Sequence, residues 1–114
     1  MSEQLDAIAV FITAPNRDEA AQLAEALVND KLAACVQILP EMTSVYRWQG
    51  KIERQPECLI IAKTTNARFV ELETRVRTLH SYEVPEIVAV PIVTGSKPYL
   101  EWLASSVAGD VESD

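Results

Sequence analysis

The chain has 114 residues, 48% of them hydrophobic and 24% charged, with 17 acidic against 10 basic side chains and a formal net charge of −7. This composition suits one soluble globular domain that buries a core without disulfide or metal staples, and no apolar run nears the ~20 residues a bilayer crossing needs. The lack of clustered Lys and Arg argues against a nucleic-acid surface, where neutralising phosphates would demand them.

The segment Met1-Ser2-Glu3-Gln4-Leu5-Asp6 has no basic stretch followed by an apolar one, so the chain reads as cytoplasmic. A single domain with its core over residues 6–107 is expected. Residues 1–5 and 109–114, the latter carrying Asp110, Glu112 and Asp114, are expected to fray.

The first element is an apolar run, Asp6 to Ala14, ending at Pro15, as expected of a central strand. Asn16 is placed to cap the helix that follows, with Glu19 in capping-box position and Asp18 in the first turn. Ala20, Leu23, Ala24, Leu27 and Val28 form its apolar stripe, and the helix should end near Asn29-Asp30. From Leu32 to Trp48 only Pro40 breaks a strand, and from Ile52 to Thr64 only Pro56 does. Between them Tyr46 and Trp48 alternate with Arg47 and Gln49, and Gly50 supplies the positive φ of a tight reversal. The two arms therefore predict a hairpin on the order of 40 Å long at ~3.3 Å per residue, more than a chain of this size covers with its own helices. Its outer half is expected to pack against another copy.

With Gln49-Gly50 as the turn, paired residues sum to 99, which sets Cys58 opposite Glu41 and leaves Cys35 roughly 20 Å away, far beyond the ~7 Å Cα limit for a disulfide. Two reduced thiols are expected. The second arm ends in the apolar stretch Glu57 to Thr64. Thr65 or Asn66 is then placed to cap a second helix with Phe69, Leu72, Val76 and Leu79 inward, Glu71–Arg75 and Glu73–Arg77 as i,i+4 pairs, and a stop near His80. After the loop Ser81 to Pro85, residues 86–93 form a last strand that Pro91 marks as near an edge or a strand end. Thr94-Gly95 turns the chain, Pro98 suits a first helical turn, and Tyr99 to Leu103 begins a short third helix. The order β-α-β-β-α-β plus a terminal helix is that of the α+β, ferredoxin-like split βαβ sandwich. Its helices cover one sheet face, and the other needs cover from an oligomer.

The stretches Leu32-Ala33-Ala34-Cys35, Tyr46-Arg47-Trp48-Gln49-Gly50-Lys51, Lys63-Thr64-Thr65, His80-Ser81-Tyr82-Glu83-Val84-Pro85-Glu86 and Tyr99-Leu100-Glu101-Trp102 resemble, in order, the CutA family of divalent-cation tolerance proteins. The likeness runs from about Asp6 to Val107. It implies a ferredoxin-like protomer in a tight trimer whose long hairpins exchange edge contacts, similar in architecture to the PII signalling proteins. It also implies a cytoplasmic protein linked to tolerance of copper and other divalent metals. The family's metal site uses a Cys on the first strand and a His-His pair ending the second helix; here those positions read Ile12 and Leu79-His80, so His80 alone is matched. Ser81 and Glu41 stand where many relatives carry Pro and Gly.

Two readings stand for His80, a structural or solvent-exposed group at a helix end or a ligand for copper or zinc. Cys35 is either a small core residue or a soft ligand for Cu(I), and Cys58 is similar. Neither thiol shows basic neighbours in sequence, which argues against a nucleophile. Lys63 ends an apolar strand and needs a carboxylate or solvent, with Glu57, Glu83 and Glu86 as partners in view. Tyr46, Trp48, Tyr82 and Trp102 are expected to wall the same cleft, either as interface packing around an ion pair or as an intersubunit pocket for a small anionic or amphipathic ligand.

Enzyme chemistry is not expected. Ala14-Pro15-Asn16-Arg17 has no glycines to cradle phosphate, and no Ser-His-Asp or Cys-His pairing is suggested. Leu59-Ile60-Ile61-Ala62 lacks the stacking aromatics of an RNA-binding sheet. The chain is thus expected either to bind divalent metal, with no cofactor required, or to act as a PII-like sensor or scaffold for a small molecule or partner protein.

Overall fold

Local chemistry fixes each element before packing does. The structure, a computed structural model, describes residues 6–109. Except for Gly109, the segments expected to fray lie outside the described residues. Strand β1 (Ala7–Ala14) stops at Pro15, and the Asn16 side chain accepts from the Glu19 N–H at 2.8 Å to open helix α1 (Arg17–Asn29). Lys31, at φ 60, reverses the chain, and the N–H groups of Leu32 and Ala33 both donate to the Leu27 carbonyl. Strands β2 (Cys35–Trp48) and β3 (Lys51–Thr65) form the long hairpin, turned by Gln49 and Gly50 at φ 52 and 81. A 3-10 turn over Asn66–Arg68 leads into α2 (Phe69–Leu79), and β4 (Ile87–Pro91) is followed by α3 (Lys97–Ser106). Ser96 caps α3 through the Tyr99 N–H, with Pro98 in its first turn as expected, and the helix runs on past Leu103 to Ser106.

The sheet order is β2-β3-β1-β4 with every pairing antiparallel, the ferredoxin-like arrangement. Ile8, Val10, Ile12 and Ala14 of β1 and Cys58, Ile60 and Ala62 of β3 pack against Leu23 and Leu27 of α1 and Leu72 and Val76 of α2. Each fully buried Val, Leu or Ile side chain there contributes about 1.5–3 kcal/mol by transfer from water. The alternate residues face the other way. Helix α3 covers only one end of that second face, where Leu100 and Leu103 meet Ala7, Ala34 and Ile92. Beyond it lie two rows across the sheet, Gln37–Ile61–Phe11–Val88 and Leu39–Leu59–Thr13, in which Leu39 and Val88 remain exposed. β1 pairs with β3 only as far as Cys58, so the outer half of the hairpin projects past the sheet and stretches the molecule to 48 Å against 28 and 22 Å.

Several expectations need correction. Val28 is exposed rather than part of the α1 stripe, and Leu79 is exposed on α2. Thr65 precedes the 3-10 turn, but no side chain caps it. Glu71 pairs with Arg68 at 2.7 Å and Arg75 with Asp30 at 3.0 Å, so the Glu71–Arg75 pair is replaced by a contact between helices; Glu73–Arg77 forms at 4.0 Å. The last strand is shorter than residues 86–93. The hairpin register follows the sum of 99 from the turn to Met42↔Glu57, but an irregularity between Leu39 and Met42 changes it to 98. Pro40 has no N–H for the ladder, and the Cys58 thiol donates to its carbonyl at 3.1 Å. Cys35 consequently faces Lys63, and both cysteines are free.

Candidate functional site

Where the hairpin leaves the sheet it forms one wall of a cleft of about 660 Å³, and the 81–86 loop forms another. Period-two alternation sets Ser44, Tyr46 and Trp48 on one side of β2. All three line the cleft, with Val45, Thr13, Glu57, Ser81, Tyr82, Glu83, Val84 and Glu86. Glu57 is the buried charged group of this site, only 8% exposed. Its two oxygens each accept a hydroxyl at 2.6 Å, from Ser44 and from Tyr82. Burial, together with the bond to Glu57 and that residue's charge, raises the Tyr82 phenol well above the ordinary tyrosine range.

The loop is positioned by His80, whose side chain is fully buried. Its Nε2 lies 2.6 Å from the Thr13 carbonyl, which only accepts, so Nε2 carries the proton. The Tyr82 N–H donates to Nδ1 at 3.0 Å, which fixes the neutral Nε2–H tautomer. Glu19 does not complete a capping box; its carboxylate accepts from the Ser81 N–H at 2.7 Å and stands 3.3 Å from Nδ1. His80 is therefore neither solvent-exposed nor, within one subunit, a ligand with a spare lone pair. Among the described residues no three His, Cys, Asp or Glu side chains converge closely enough to hold a metal ion.

The expected single cleft divides in two. Tyr46, Trp48, Glu57, Tyr82 and Glu86 come together as predicted, but Lys63 and Trp102 do not join them. Lys63 sits on the helix-poor sheet face, where Nζ donates to Gln37 Oε1 at 2.8 Å and lies 6.0 Å from the Tyr99 ring centre. Tyr99 stacks on Trp102 at 5.5 Å, and its hydroxyl meets the Cys35 sulfur at 3.4 Å. That bond and partial burial push the Tyr99 phenol up to about 12. Cys35 thus has a basic neighbour after all, supplied by strand pairing. Ser44 and Thr13 were not singled out from sequence, although the alternation with Tyr46 and Trp48 marks Ser44.

Residues 8–106 match the family model described as CutA1 divalent ion tolerance protein. The chain belongs to this family. It is 51% identical over 94 residues to the divalent-cation tolerance protein CutA of Thermus thermophilus, covering 82% of this chain and 91% of that one. It is 44% identical over 95 residues to Homo sapiens Protein CutA, covering 83% of this chain but 53% of the human one. It likewise spans 58% of the Arabidopsis thaliana chloroplastic protein, so those CutA relatives are considerably longer.

Among solved structures, CutA1 from Oryza sativa superposes with a TM-score of 0.91 at 40% identity, covering 96% of this chain and all of that one. The Cut A1 structure from Thermus thermophilus gives 0.88 at 47% identity, covering 90% and 99%. The Arabidopsis CutA is named chloroplastic and the Archaeoglobus fulgidus structure periplasmic, so membership of the family does not carry the expected cytoplasmic location. Among the described residues no helix is long and apolar enough to cross a membrane.

Proposed function

We propose that the protein is a homotrimer that contributes to tolerance of divalent cations, copper foremost, by binding rather than by enzymatic chemistry. The observation that carries this reading is the family match over residues 8–106. The half-covered sheet face and the projecting hairpin, with Val45, Tyr46, Trp48 and Ile52 exposed, support an assembly that shelters both. The two free thiols suit a reducing compartment such as the cytoplasm.

Copper binding at His80 has to displace the Tyr82 N–H from Nδ1, so it is weak and needs ligands from beyond one subunit. Copper titrated into native protein should bind in the high micromolar range or weaker, and His80→Ala should lose that binding. Equal affinity in both proteins would remove His80 from the function. Because the His80 ring is fully buried, the substitution is also expected to cost about 2–4 kcal/mol in a urea unfolding curve, and the comparison is made below its midpoint.

The hairpin tip gives a test of assembly that spares the protomer. Trp48 is 53% exposed, so Trp48→Asp removes little from its own subunit. In a trimer it removes an aromatic anchor, and the dissociation constant should rise roughly thirtyfold or more, the effect of losing ~2 kcal/mol at a hot spot. Unchanged mass across a dilution series would place the tip in solvent.

The cleft beside Glu57 favours a second reading, a PII-like sensor or scaffold that holds a small molecule between hairpin and loop. Its volume and mixed lining suit that role. A thermal-shift screen in which no small molecule raised the midpoint of the intact oligomer would count against it.

A further inference from the structure

We propose that Lys63 of one copy enters the cleft of the next and pairs with Glu57 there, so that each site is completed by its neighbour. This rests on the trimer proposed above and names a residue pair that joins its subunits. Alternation along β3 puts Glu57, Leu59, Ile61 and Lys63 on the sheet face that α1 and α2 do not cover. Lys63 stands at the end beside α3 and Glu57 at the end where the hairpin leaves the sheet. They are six positions apart on one strand, about 20 Å at ~3.3 Å per position, and do not meet within one chain.

Each residue is half of a pair. Glu57 is buried, accepts one hydroxyl on each oxygen, and forms no ion pair within its own subunit among the described residues. Lys63 donates to Gln37 Oε1 and lies near the Tyr99 ring, and it too forms no ion pair there. The ammonium has further N–H donors to give, and the carboxylate has further lone pairs to receive them. A buried carboxylate without a cation is costly, and the cost falls when a partner is sealed against it. In a ring of copies every contact is heterologous, so one end of this face meets the unlike end of the next copy's face.

The surroundings of the two ends match as well. Tyr46 and Trp48 line the cleft beside Glu57, while Tyr99 lies near Lys63 and stacks on Trp102; all four rings are exposed in one subunit. Brought together, they form an aromatic collar that keeps water from the bridge. Lys63 is also the only Lys or Arg where β1, β3, β4 and the first part of β2 pair side by side. Its unbranched stem and compact ammonium suit entry between hairpin and loop. Arg47, Lys51 and Arg54 on the hairpin are the competing donors.

The test is a double-mutant cycle on subunit dissociation, read by sedimentation of the full chain in a dilution series, with circular dichroism as the check on folding. Lys63→Gln and Glu57→Gln should each raise the dissociation constant roughly tenfold or more, the effect of removing one partner of a buried pair. The double variant should stand within about threefold of the worse single, whereas independent sites would multiply to about a hundredfold. Lys51→Gln should show no such coupling to Glu57→Gln. Lys63→Arg keeps the charge and should dissociate less than Lys63→Gln, a comparison that stands even where Glu57→Gln fails to fold. Multiplying effects, coupling to Lys51 instead, or equal dissociation of Lys63→Arg and Lys63→Gln would overturn the pairing and leave the trimer. A native protein that stayed monomeric throughout the series would overturn the trimer itself.

Discussion

Ile61→Asp is expected to turn the proposed trimer into a monomer at micromolar concentration and to lower its melting temperature by about 10 °C or more, since subunit binding and folding are linked. Ile61 lies at the centre of the row Gln37–Ile61–Phe11–Val88, on the sheet face that α3 leaves open. In one subunit it is only half-buried, so a carboxylate there still reaches water and the protomer can fold. Against a second copy the same carboxylate would be sealed among apolar side chains without a cation, a cost of several kcal/mol. Its neighbour gives the control. Ile60 points to the helices and is wholly buried, so Ile60→Asp should unfold the chain itself rather than release folded monomers. Light scattering with circular dichroism separates the two outcomes. If Ile61→Asp kept the native mass, the open face would not be the interface.

What sequence could say about this fold followed from local rules. Pro15 and Asn16 end β1 and start α1 by what their backbone and side chain can bond, and Gln49-Gly50 reverses the hairpin because both residues take positive φ. Those signals need no partner from elsewhere. The irregularity at Leu39–Met42 was legible only as Pro40, a residue without an N–H, and its consequence was not. A one-residue change in register replaces Thr64 by Lys63 as the partner of Cys35 across the strands.

The candidate site was legible in part for the same reason. Tyr46, Trp48, Glu57, Tyr82 and Glu86 gather because hairpin and loop leave the same end of the sheet. Charge alone groups Lys63 with them, although the two residues stand six positions apart on β3, about 20 Å at ~3.3 Å per position. Strand geometry therefore already argued against that pairing. The roles of Glu19 and His80 were hidden, since both depend on α2 ending beside the end of β1 and the first turn of α1, a tertiary fact with no local signature.

Glu57→Ala should destabilise the folded chain by about 2–4 kcal/mol, through loss of two hydrogen bonds to a charged acceptor at a buried position. Glu57→Gln should cost less, because the amide oxygen still accepts from one hydroxyl. The two variants also differ from native protein in alkali. In the fold Tyr82 ionises above the usual tyrosine value, first from burial and then from the bond and charge of Glu57. A raised folded value favours the neutral phenol, so its contribution to stability is complete below about pH 10 and is lost as pH climbs beyond that. Tyr99, pushed up to about 12 by its bond to Cys35 and by burial, adds a loss of the same sign. Replacing Glu57 by Gln removes the charge but not the burial, so Tyr82 should ionise earlier than in native protein and the alkaline fall in stability should become shallower. Phenolate absorbance and urea midpoints from about pH 9 to about pH 11.5 follow both quantities. If the Tyr82 titration stayed in place in Glu57→Gln, the carboxylate would not be what holds the phenol neutral.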